Sequence, residues 1–133
     1  MELVAVGRVE SPLTDLGAAP NQGDEGAPEA TIVFEPWALL ALDGVRAGDD
    51  VLVLTWLDRA DRGVLRVHPR GDPARPEAGV FATRSPDRPN PIGLHRAQVL
   101  EAGEGRLRVR PLEAIDGTPV VDVKPVLRSV SER

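Results

Sequence analysis

Residues 82–94, ATRSPDRPNPIGL, combine three prolines with two arginines in a pattern suited to binding a charged ligand. Each proline fixes its own φ at about −65° and restricts the residue before it to extended conformations. We therefore expect the segment to be rigid before a ligand arrives, which lowers the ordering cost of binding. Pro86-Asp-Arg-Pro89 also matches the minimal P-x-x-P form of a peptide ligand, and a stiff connector is a third interpretation. Because predicted core strands flank the segment, we favour a ligand-binding loop.

The motifs of several familiar catalytic and cofactor-binding classes are missing. The sequence has no cysteine, and its two histidines, His68 and His95, do not have the spacing of metal ligands. It also lacks a Gly-x-Ser-x-Gly elbow, a phosphate-binding loop and a dinucleotide-binding glycine fingerprint. The residues therefore predict no metal site. They also argue against a serine hydrolase and against the folds that bind nucleotides through a phosphate-binding loop or a dinucleotide-binding glycine motif.

The length, composition and charge of the chain limit the classes of protein to which it can belong. The 133 residues, 41% of them hydrophobic, predict a single domain over 1–133 with a substantial core. No apolar run is long enough for a membrane span and the N-terminus lacks a signal-peptide pattern, so we expect a cytoplasmic protein with no membrane partner. The net charge is −5, yet residues 62–96 hold seven arginines against three acids. The acidic total argues against indiscriminate nucleic-acid binding, whereas the basic stretch leaves a localised contact open.

Short β-branched or alternating runs separated by turn signals predict an all-β fold. The one helix candidate is EPWALLALDG at 35–44, with Pro36 in its first turn and Gly44 beyond its end. Many short strands and one short helix favour a β-barrel or a sandwich. Residues 10–29 form a long loop rich in proline, glycine and acids, a kind that is more often functional than idle. The predicted strands are 2–9, 30–34, 50–57, 64–68, 79–83, 96–102, 106–110 and 119–124.

Two further segments are candidates for a binding site. In DGTPVVDVKP at 116–125, Asp116-Gly117 favours a tight hairpin turn and the following alternation is typical of a half-buried strand. A hairpin explains most of this pattern, but not the Thr118-Pro119 pair directly after the turn. APNQGDEGAPEA at 19–30 offers backbone amides and carboxylates, and it fits either a ligand-binding loop or a solvated one.

Together these segments resemble the TsaA-like (YaeB) family, whose characterised members include the tRNA methyltransferase TrmO. The resemblance extends from about residue 4 to 127 and implies a small single-sheet β-barrel with one short helix and long functional loops. It also implies binding of S-adenosylmethionine, a homodimer with the cofactor site near its interface, and methyl transfer to the exocyclic amine of N(6)-threonylcarbamoyladenosine beside the tRNA anticodon. The matching segments are PNQGDEGAPEATI at 20–32, WLDRADR at 56–62, GVFATRSPDRPNPIGL at 79–94 and IDGTPVVDVKP at 115–125.

The resemblance further implies which residues contact the cofactor. Carboxylates can meet the amino group or the cation of a zwitterionic sulfonium, Arg84 can pair with its carboxylate, and turn amides can hold the adenine edge. In-line methyl transfer depends on alignment and a dry pocket more than on a nucleophilic side chain, so no catalytic residue is assigned. The implied contacts are Gly23, Asp24, Glu25, Asp58, Arg59, Arg84, Leu94, Asp116, Gly117, Thr118, Pro119 and Val120.

Three functions are compatible with these features. The resemblance favours a tRNA methyltransferase, ahead of a methyltransferase of the same fold acting on another molecule and of a non-catalytic module that binds S-adenosylmethionine or a nucleotide. The sequence departs from the family at Asp58, where histidine is common, and it ends at Arg133, whereas longer TrmO proteins carry a C-terminal domain. If tRNA is the substrate, we expect its phosphates to run over Arg62, Arg66, Arg70, Arg75 and Arg88.

Overall fold

A computed structural model describes residues 1–13 and 28–128, and within them the chain forms eight β-strands. The strands are β1 Gly7–Glu10, β2 Ala30–Phe34, β3 Asp50–Trp56, β4 Arg66–Val67, β5 Ala78–Gly79, β6 Ile92–Gly103, β7 Arg106–Arg110 and β8 Pro119–Pro125. Six of them form a closed antiparallel barrel in the order β1-β2-β7-β6-β3-β8, in which β8 also pairs with β1. β4 and β5 form a small separate sheet. The predicted all-β barrel is confirmed.

Alternate residues of the barrel strands fill its interior. In β3, Val51, Val53 and Thr55 are buried while the residues between them are partly exposed. The register of β3 with β6 places Val53 opposite His95 and Thr55 opposite Gly93, so these four residues share the inner face. The buried apolar core comprises Val9, Ala30, Ile32, Val51, Val53, Ala97, Val99, Leu107, Val109, Leu112, Ala114 and Val120.

The N-terminal strand and the helix differ from their predicted forms. The strand predicted over 2–9 begins at Gly7, because residues 1–5 are exposed and cover no core surface. The predicted helix is a 3-10 helix over Pro36–Leu42, in which only Ala38 is buried. Trp37 is 63% and Leu40 is 92% exposed, whereas Leu42 is partly buried against the barrel core. The helix therefore packs through Leu42 and the buried Ala38, while its other large apolar side chains are exposed.

The segment between β3 and β6 contains less strand than predicted. The strand predicted over 64–68 is reduced to β4, and that predicted over 79–83 to β5 followed by a 3-10 turn at Val80–Ala82. Val80 is buried but Phe81 is 85% exposed, so this run packs through one side chain only. A further 3-10 turn lies at Pro69–Gly71, and Arg70 within it has a left-handed φ of 56°. Prolines and glycines prevent longer pairing here.

The long strand β6 begins at Ile92, earlier than the predicted start at 96. The Ile-Gly-Leu that follows the prolines therefore belongs to the barrel, with Ile92 and Leu94 outside and Gly93 inside. A Cβ on Gly93 would meet the Thr55 hydroxyl and the His95 ring, so glycine is needed for this close approach. The end of the rigid loop is thereby fixed to the barrel wall.

The two glycine turns beyond β6 have different roles. Gly103–Gly105 joins β6 to β7, which pair as an antiparallel hairpin. Asp116-Gly117 does not close a hairpin, because β8 pairs with β1 and β3 and not with the strand before the turn.

Within residues 1–13 and 28–128, no helix has the length and apolar character that a membrane span requires.

Candidate functional site

The loop that carries the three prolines is also held by its own side chains. The Thr83 hydroxyl accepts the Ser85 amide at 3.2 Å, and the Ser85 hydroxyl accepts the Asp87 amide at 3.3 Å. The Arg88 guanidinium donates to the carbonyls of Thr83 and Ser85, and also to that of Val80. These bonds add to the restriction that the prolines impose, which supports the predicted rigidity of the loop.

Two side chains tie this loop to the one that follows β3. Nε of Arg62 donates to the Pro89 carbonyl at 2.7 Å, and its Nη2 donates to Oδ1 of Asn90 at 3.1 Å. From the other side, Oδ1 of Asp87 accepts the Asp61 amide at 2.8 Å. The two loops, far apart in sequence, therefore form one wall at the same end of the barrel.

The turn before β8 is bonded to the end of β1. Oδ1 of Asp116 accepts the Ser11 amide at 3.0 Å, and Gly117 has a φ of 88°, which favours glycine. We expected turn amides to hold an adenine edge. The three amides of the turn are instead bonded within the protein, so the turn presents side chains and carbonyls to a ligand. The amides of Asp116, Gly117 and Thr118 donate to the carbonyls of Leu13, Val9 and Ile115, at 2.7, 2.7 and 3.0 Å.

A cavity of about 150 Å³ lies where these three segments meet. It brings together three of the residues that the sequence assigned to the cofactor: Asp58, Arg59 and Thr118. Thr118 is 6% exposed, and its hydroxyl donates to the Ile115 carbonyl at 2.6 Å. The lining residues are Leu57, Asp58, Arg59, Ala60, Pro86, Asp87, Glu113, Ala114, Ile115 and Thr118.

Glu113 is a lining residue that the sequence reasoning missed. Its Oε1 atom is buried and has no hydrogen-bond partner, the one such side-chain atom among the described residues. Glu113 as a whole is partly exposed, and its carboxylate is the third acidic group in the lining beside Asp58 and Asp87. The sequence signal that could have identified Glu113 is its position three residues before Asp116, next to a segment that was already a candidate for the binding site.

A buried polar pair lies on the inner face of the barrel near this wall. Nε2 of His95 and the Thr55 hydroxyl are 2.9 Å apart, and Thr55 is fully buried. Burial lowers the pKa of His95 below its ordinary value, and the nearby positive charge of Arg84 lowers it further. The ring is therefore neutral at neutral pH. Nη2 of Arg84 donates to the Leu94 carbonyl at 3.3 Å, so Arg84 is held against β6.

The remaining implied cofactor contacts are distributed around this end of the barrel. Leu94 is 45% exposed on the outer face of β6, and Pro119 lines a separate outer cavity of about 440 Å³. Val120 belongs to the core, and neither Asp116 nor Gly117 lines the 150 Å³ cavity. Gly23, Asp24 and Glu25 lie outside the described residues.

The five arginines expected to contact RNA differ in how far they are already engaged. The guanidinium groups of Arg62 and Arg88 donate hydrogen bonds to backbone carbonyls of residues 80–89. The Arg62 guanidinium also lies 5.1 Å from the centre of the Trp56 ring. Arg66 pairs with Glu77 at 3.4 Å and Arg75 with Asp72 at 3.9 Å. Arg70 makes no ion pair with any described residue and is exposed.

Among residues 1–13 and 28–128, no three metal-ligating side chains come together.

Comparison with known proteins identifies the family. A family model described as the tRNA-methyltransferase O N-terminal domain matches residues 8–131. A probable S-adenosyl-L-methionine-binding protein of Methanothermobacter thermautotrophicus is 47% identical over 94% of this chain and 89% of its own length. An S-adenosyl-L-methionine-binding protein of Archaeoglobus fulgidus is 43% identical over 93% and 88%.

Solved structures agree with this assignment. TrmO from Pseudomonas aeruginosa superposes with a TM-score of 0.77 at 28% identity, covering 96% of this chain and 56% of that chain. The present chain thus spans a little over half of that protein. The match over nearly its whole length shows that the chain belongs to the tRNA-methyltransferase O N-terminal domain family.

Proposed function

We propose that this protein binds S-adenosylmethionine and transfers its methyl group to a substrate. The observation that carries the proposal is the cavity shared by Asp58, Arg59 and Thr118. Its lining holds three acidic residues, Asp58, Asp87 and Glu113, against one arginine, which suits a ligand that carries positive charge, as S-adenosylmethionine does. The names of the relatives in Methanothermobacter and Archaeoglobus support the same ligand.

The residues around the cavity would bind and align the cofactor. When bound, S-adenosylmethionine supplies an electrophilic methyl group on a sulfonium. The wall formed by the two loops is fixed by the Arg62 and Asp87 hydrogen bonds before binding, so little ordering is needed. Arg84, held at the Leu94 carbonyl, would pair with the cofactor's carboxylate. Leu57, Ala114 and Ile115 form the apolar part of the lining beside its charged groups, and they would reduce the access of water to the bound cofactor.

For the methyl acceptor we propose tRNA, at the exocyclic amine of N(6)-threonylcarbamoyladenosine beside the anticodon, in the cytoplasm. Membership of the tRNA-methyltransferase O family supports this substrate. The exposed arginines between β3 and β6, above all Arg70, offer positive charge to phosphates. Such contacts position a nucleic acid without reading its sequence.

A smaller methyl acceptor is the second candidate, and one observation favours it. Four of the five arginines expected to meet RNA are already engaged, two with backbone carbonyls and two with acids. Few phosphates would then be contacted by this domain alone. The same cavity and the same transfer chemistry would serve a small molecule equally well.

We also propose that two copies associate through the outer face of β3 and β6. Trp56 lies opposite Ile92, which is 40% exposed, and the exposed Leu3 and Val4 line the same 440 Å³ outer cavity. Exposed apolar surface of this kind is typical of a protein interface. Leu94 lies on this face as well, so the interface would approach the cofactor site. Analytical ultracentrifugation of the parent and of Ile92→Arg tests this: a dimer that becomes a monomer is expected, and a monomeric parent contradicts it.

One experiment separates the candidate functions. The protein is incubated with methyl-labelled S-adenosylmethionine in three parallel reactions. The first contains tRNA that carries N(6)-threonylcarbamoyladenosine, the second contains the same tRNA without that modification, and the third contains a small-molecule extract. Label in the modified tRNA alone, found as one nucleoside after digestion, is the expected result. Label in the extract alone favours the second candidate. Binding of the cofactor without any transfer would leave only a binding module.

A further inference from the structure

Phe81 is an aromatic side chain that the fold holds in solvent. It is 85% exposed, although the residue before it, Val80, is buried. The backbone on both sides of the ring is fixed by hydrogen bonds. The Val80 amide donates to the Leu65 carbonyl at 2.9 Å, and the Arg88 guanidinium donates to the carbonyls of Val80 and Thr83. The turn therefore presents the ring in a fixed position, which lowers the ordering cost of a contact with a partner.

The chain around Phe81 carries positive charge. Arg66 lies on β4, which pairs with β5 directly before the turn, and Arg70 lies in the turn after β4. Both arginines are exposed, and residues 62–96 hold seven arginines against three acids. The centre of a protein interface typically gathers apolar side chains and excludes charge. Between β3 and β6, where every residue is described, Leu65 is the one other exposed large apolar side chain.

An isolated ring among cations is the arrangement that binds unpaired nucleic-acid bases, with the ring against a base and the cations against phosphates. We propose that Phe81 stacks against an unpaired base of the RNA substrate. This inference rests on the proposed function, since it names a residue that receives part of the tRNA. Every base has a π-face, so stacking binds unpaired bases without reading their sequence. A base inside a duplex is covered by its neighbours, so the ring favours a loop over a stem, and the proposed methyl acceptor lies in such a loop.

The guanidinium that fixes the Phe81 turn also fixes part of the candidate cofactor site. Arg88 donates to the Ser85 carbonyl as well as to that of Val80. Asp87, the residue before Arg88, lines the 150 Å³ cavity. A base stacked on Phe81 is therefore held in a constant position relative to the cavity. Such positioning is what methyl transfer between two bound molecules requires.

The test compares unpaired with paired bases. A fluorescently labelled RNA stem-loop with the sequence of an anticodon arm, and a duplex of equal length, are each titrated with the parent, Phe81→Ala and Phe81→Tyr, and binding is followed by fluorescence anisotropy. Phe81→Ala should bind the stem-loop about 5- to 150-fold more weakly than the parent, which is the range for one stacked base. Its affinity for the duplex should be unchanged. Phe81→Tyr keeps the ring and should bind the stem-loop like the parent.

Trp37→Ala is the matched control for Phe81→Ala. Trp37 is also an exposed aromatic residue, at 63%, but it lies in the 3-10 helix Pro36–Leu42, which contains no arginine. This variant should bind both RNAs like the parent. A second measurement separates stacking from charge, because stacking releases no counterions. Phe81→Ala should therefore keep the parent's slope of log affinity against log salt while its affinity falls at every salt concentration.

The outcomes separate this inference from the proposed function. If the parent binds neither RNA, the proposed tRNA acceptor fails and this inference fails with it. If Phe81→Ala binds the stem-loop as tightly as the parent, or loses affinity equally for both RNAs, stacking is wrong while the tRNA acceptor stands. A parent dimer that becomes a monomer in Phe81→Ala, seen by analytical ultracentrifugation, would assign the ring to a protein interface and also overturn the inference. Circular dichroism and thermal unfolding confirm that the compared proteins are folded.

Discussion

Nε2 of His95 and the hydroxyl oxygen of Thr55 lie 2.9 Å apart on the inner face of the barrel, on neighbouring strands β3 and β6. Both residues stand beside Gly93, which has no side chain to separate them. Just outside, Arg84 is bonded to the Leu94 carbonyl and places a positive charge near the imidazole. The pair therefore joins the barrel core to a residue that we assign to cofactor binding.

The first prediction is that His95 makes folding sensitive to pH. Its pKa is lowered in the folded state, by burial first and by Arg84 second, so the unfolded chain binds the proton more readily. The resulting stability is fully present above the ordinary pKa of about 6.5 and is lost as pH falls through the folded-state pKa. Urea unfolding between pH 7.5 and 5 should show this loss, with a slope of at most about 1.4 kcal/mol per pH unit from this one residue.

The control for this effect is His95→Gln, which keeps a polar partner for Thr55 and removes the titration. His68 is present in both proteins, so the difference between their pH profiles isolates His95. Parallel profiles for the parent and His95→Gln would show that His95 does not contribute.

The second prediction concerns the close approach at Gly93. A methyl group there would collide with the Thr55 hydroxyl and the His95 ring, both of which are held by their own hydrogen bond. Gly93→Ala should therefore reduce the free energy of unfolding by about 1–3 kcal/mol, the usual cost of overpacking. Gly79→Ala is the matched control, because the nearest atom to its Cβ is 4.0 Å away. Similar stability of the two variants, measured by urea denaturation, would contradict this account.

The sequence predicted the barrel strands better than the connections between them. Alternation in β3 and β7 reflects burial on one face, and the structure places both strands as expected. The strand predicted over 79–83 is largely a 3-10 turn in which Val80 alone is buried. β-branched and aromatic residues on a turn give the same sequence pattern as a short strand. The predicted short helix is present as a 3-10 helix, in which Leu40 is exposed and Leu42 packs against the core.

The candidate site was only partly predictable because it depends on pairing across the chain. Asp58 and Thr118 were proposed by resemblance, and the structure brings them to one cavity. Glu113 lies only three residues before Asp116, but a glutamate between apolar residues has the same sequence pattern whether it lines a cavity or faces solvent. The engagement of Arg88 with carbonyls of its own loop is likewise a property of the folded turn.

The third prediction is that Arg84 contributes to cofactor affinity. Losing a charge-assisted pair with the ligand's carboxylate costs about 1.5–3 kcal/mol, which is about ten- to a hundredfold in affinity. Calorimetric titration of Arg84→Ala with S-adenosylmethionine should show a loss of that size. Arg96→Ala, on the exposed face of β6, is the control and should bind like the parent. Equal affinity of Arg84→Ala and the parent would assign Arg84 to holding the Leu94 carbonyl alone.

The last prediction concerns tRNA binding by the arginines between β3 and β6. Arg70 has no acidic partner among the described residues, and Arg66 is bonded only to the exposed Glu77, so these two are the best placed to exchange their present surroundings for phosphates. Each phosphate neutralised releases counterions, so the slope of log affinity against log salt should fall by about 0.7–0.9 when one contact is lost. The double variant Arg66→Ala/Arg70→Ala should therefore bind tRNA with a slope about 1.5 smaller in magnitude, measured by filter binding over a series of salt concentrations.

Arg106→Ala is the control for this measurement, because Arg106 lies on β7, outside the segment between β3 and β6, and pairs with Glu10 at 3.5 Å. It removes one positive charge without touching the stretch between β3 and β6. If its salt slope equals that of the double variant, the effect reflects total charge and not a binding path. If neither variant changes the slope, the arginines between β3 and β6 do not meet phosphates, and the smaller methyl acceptor becomes the favoured substrate.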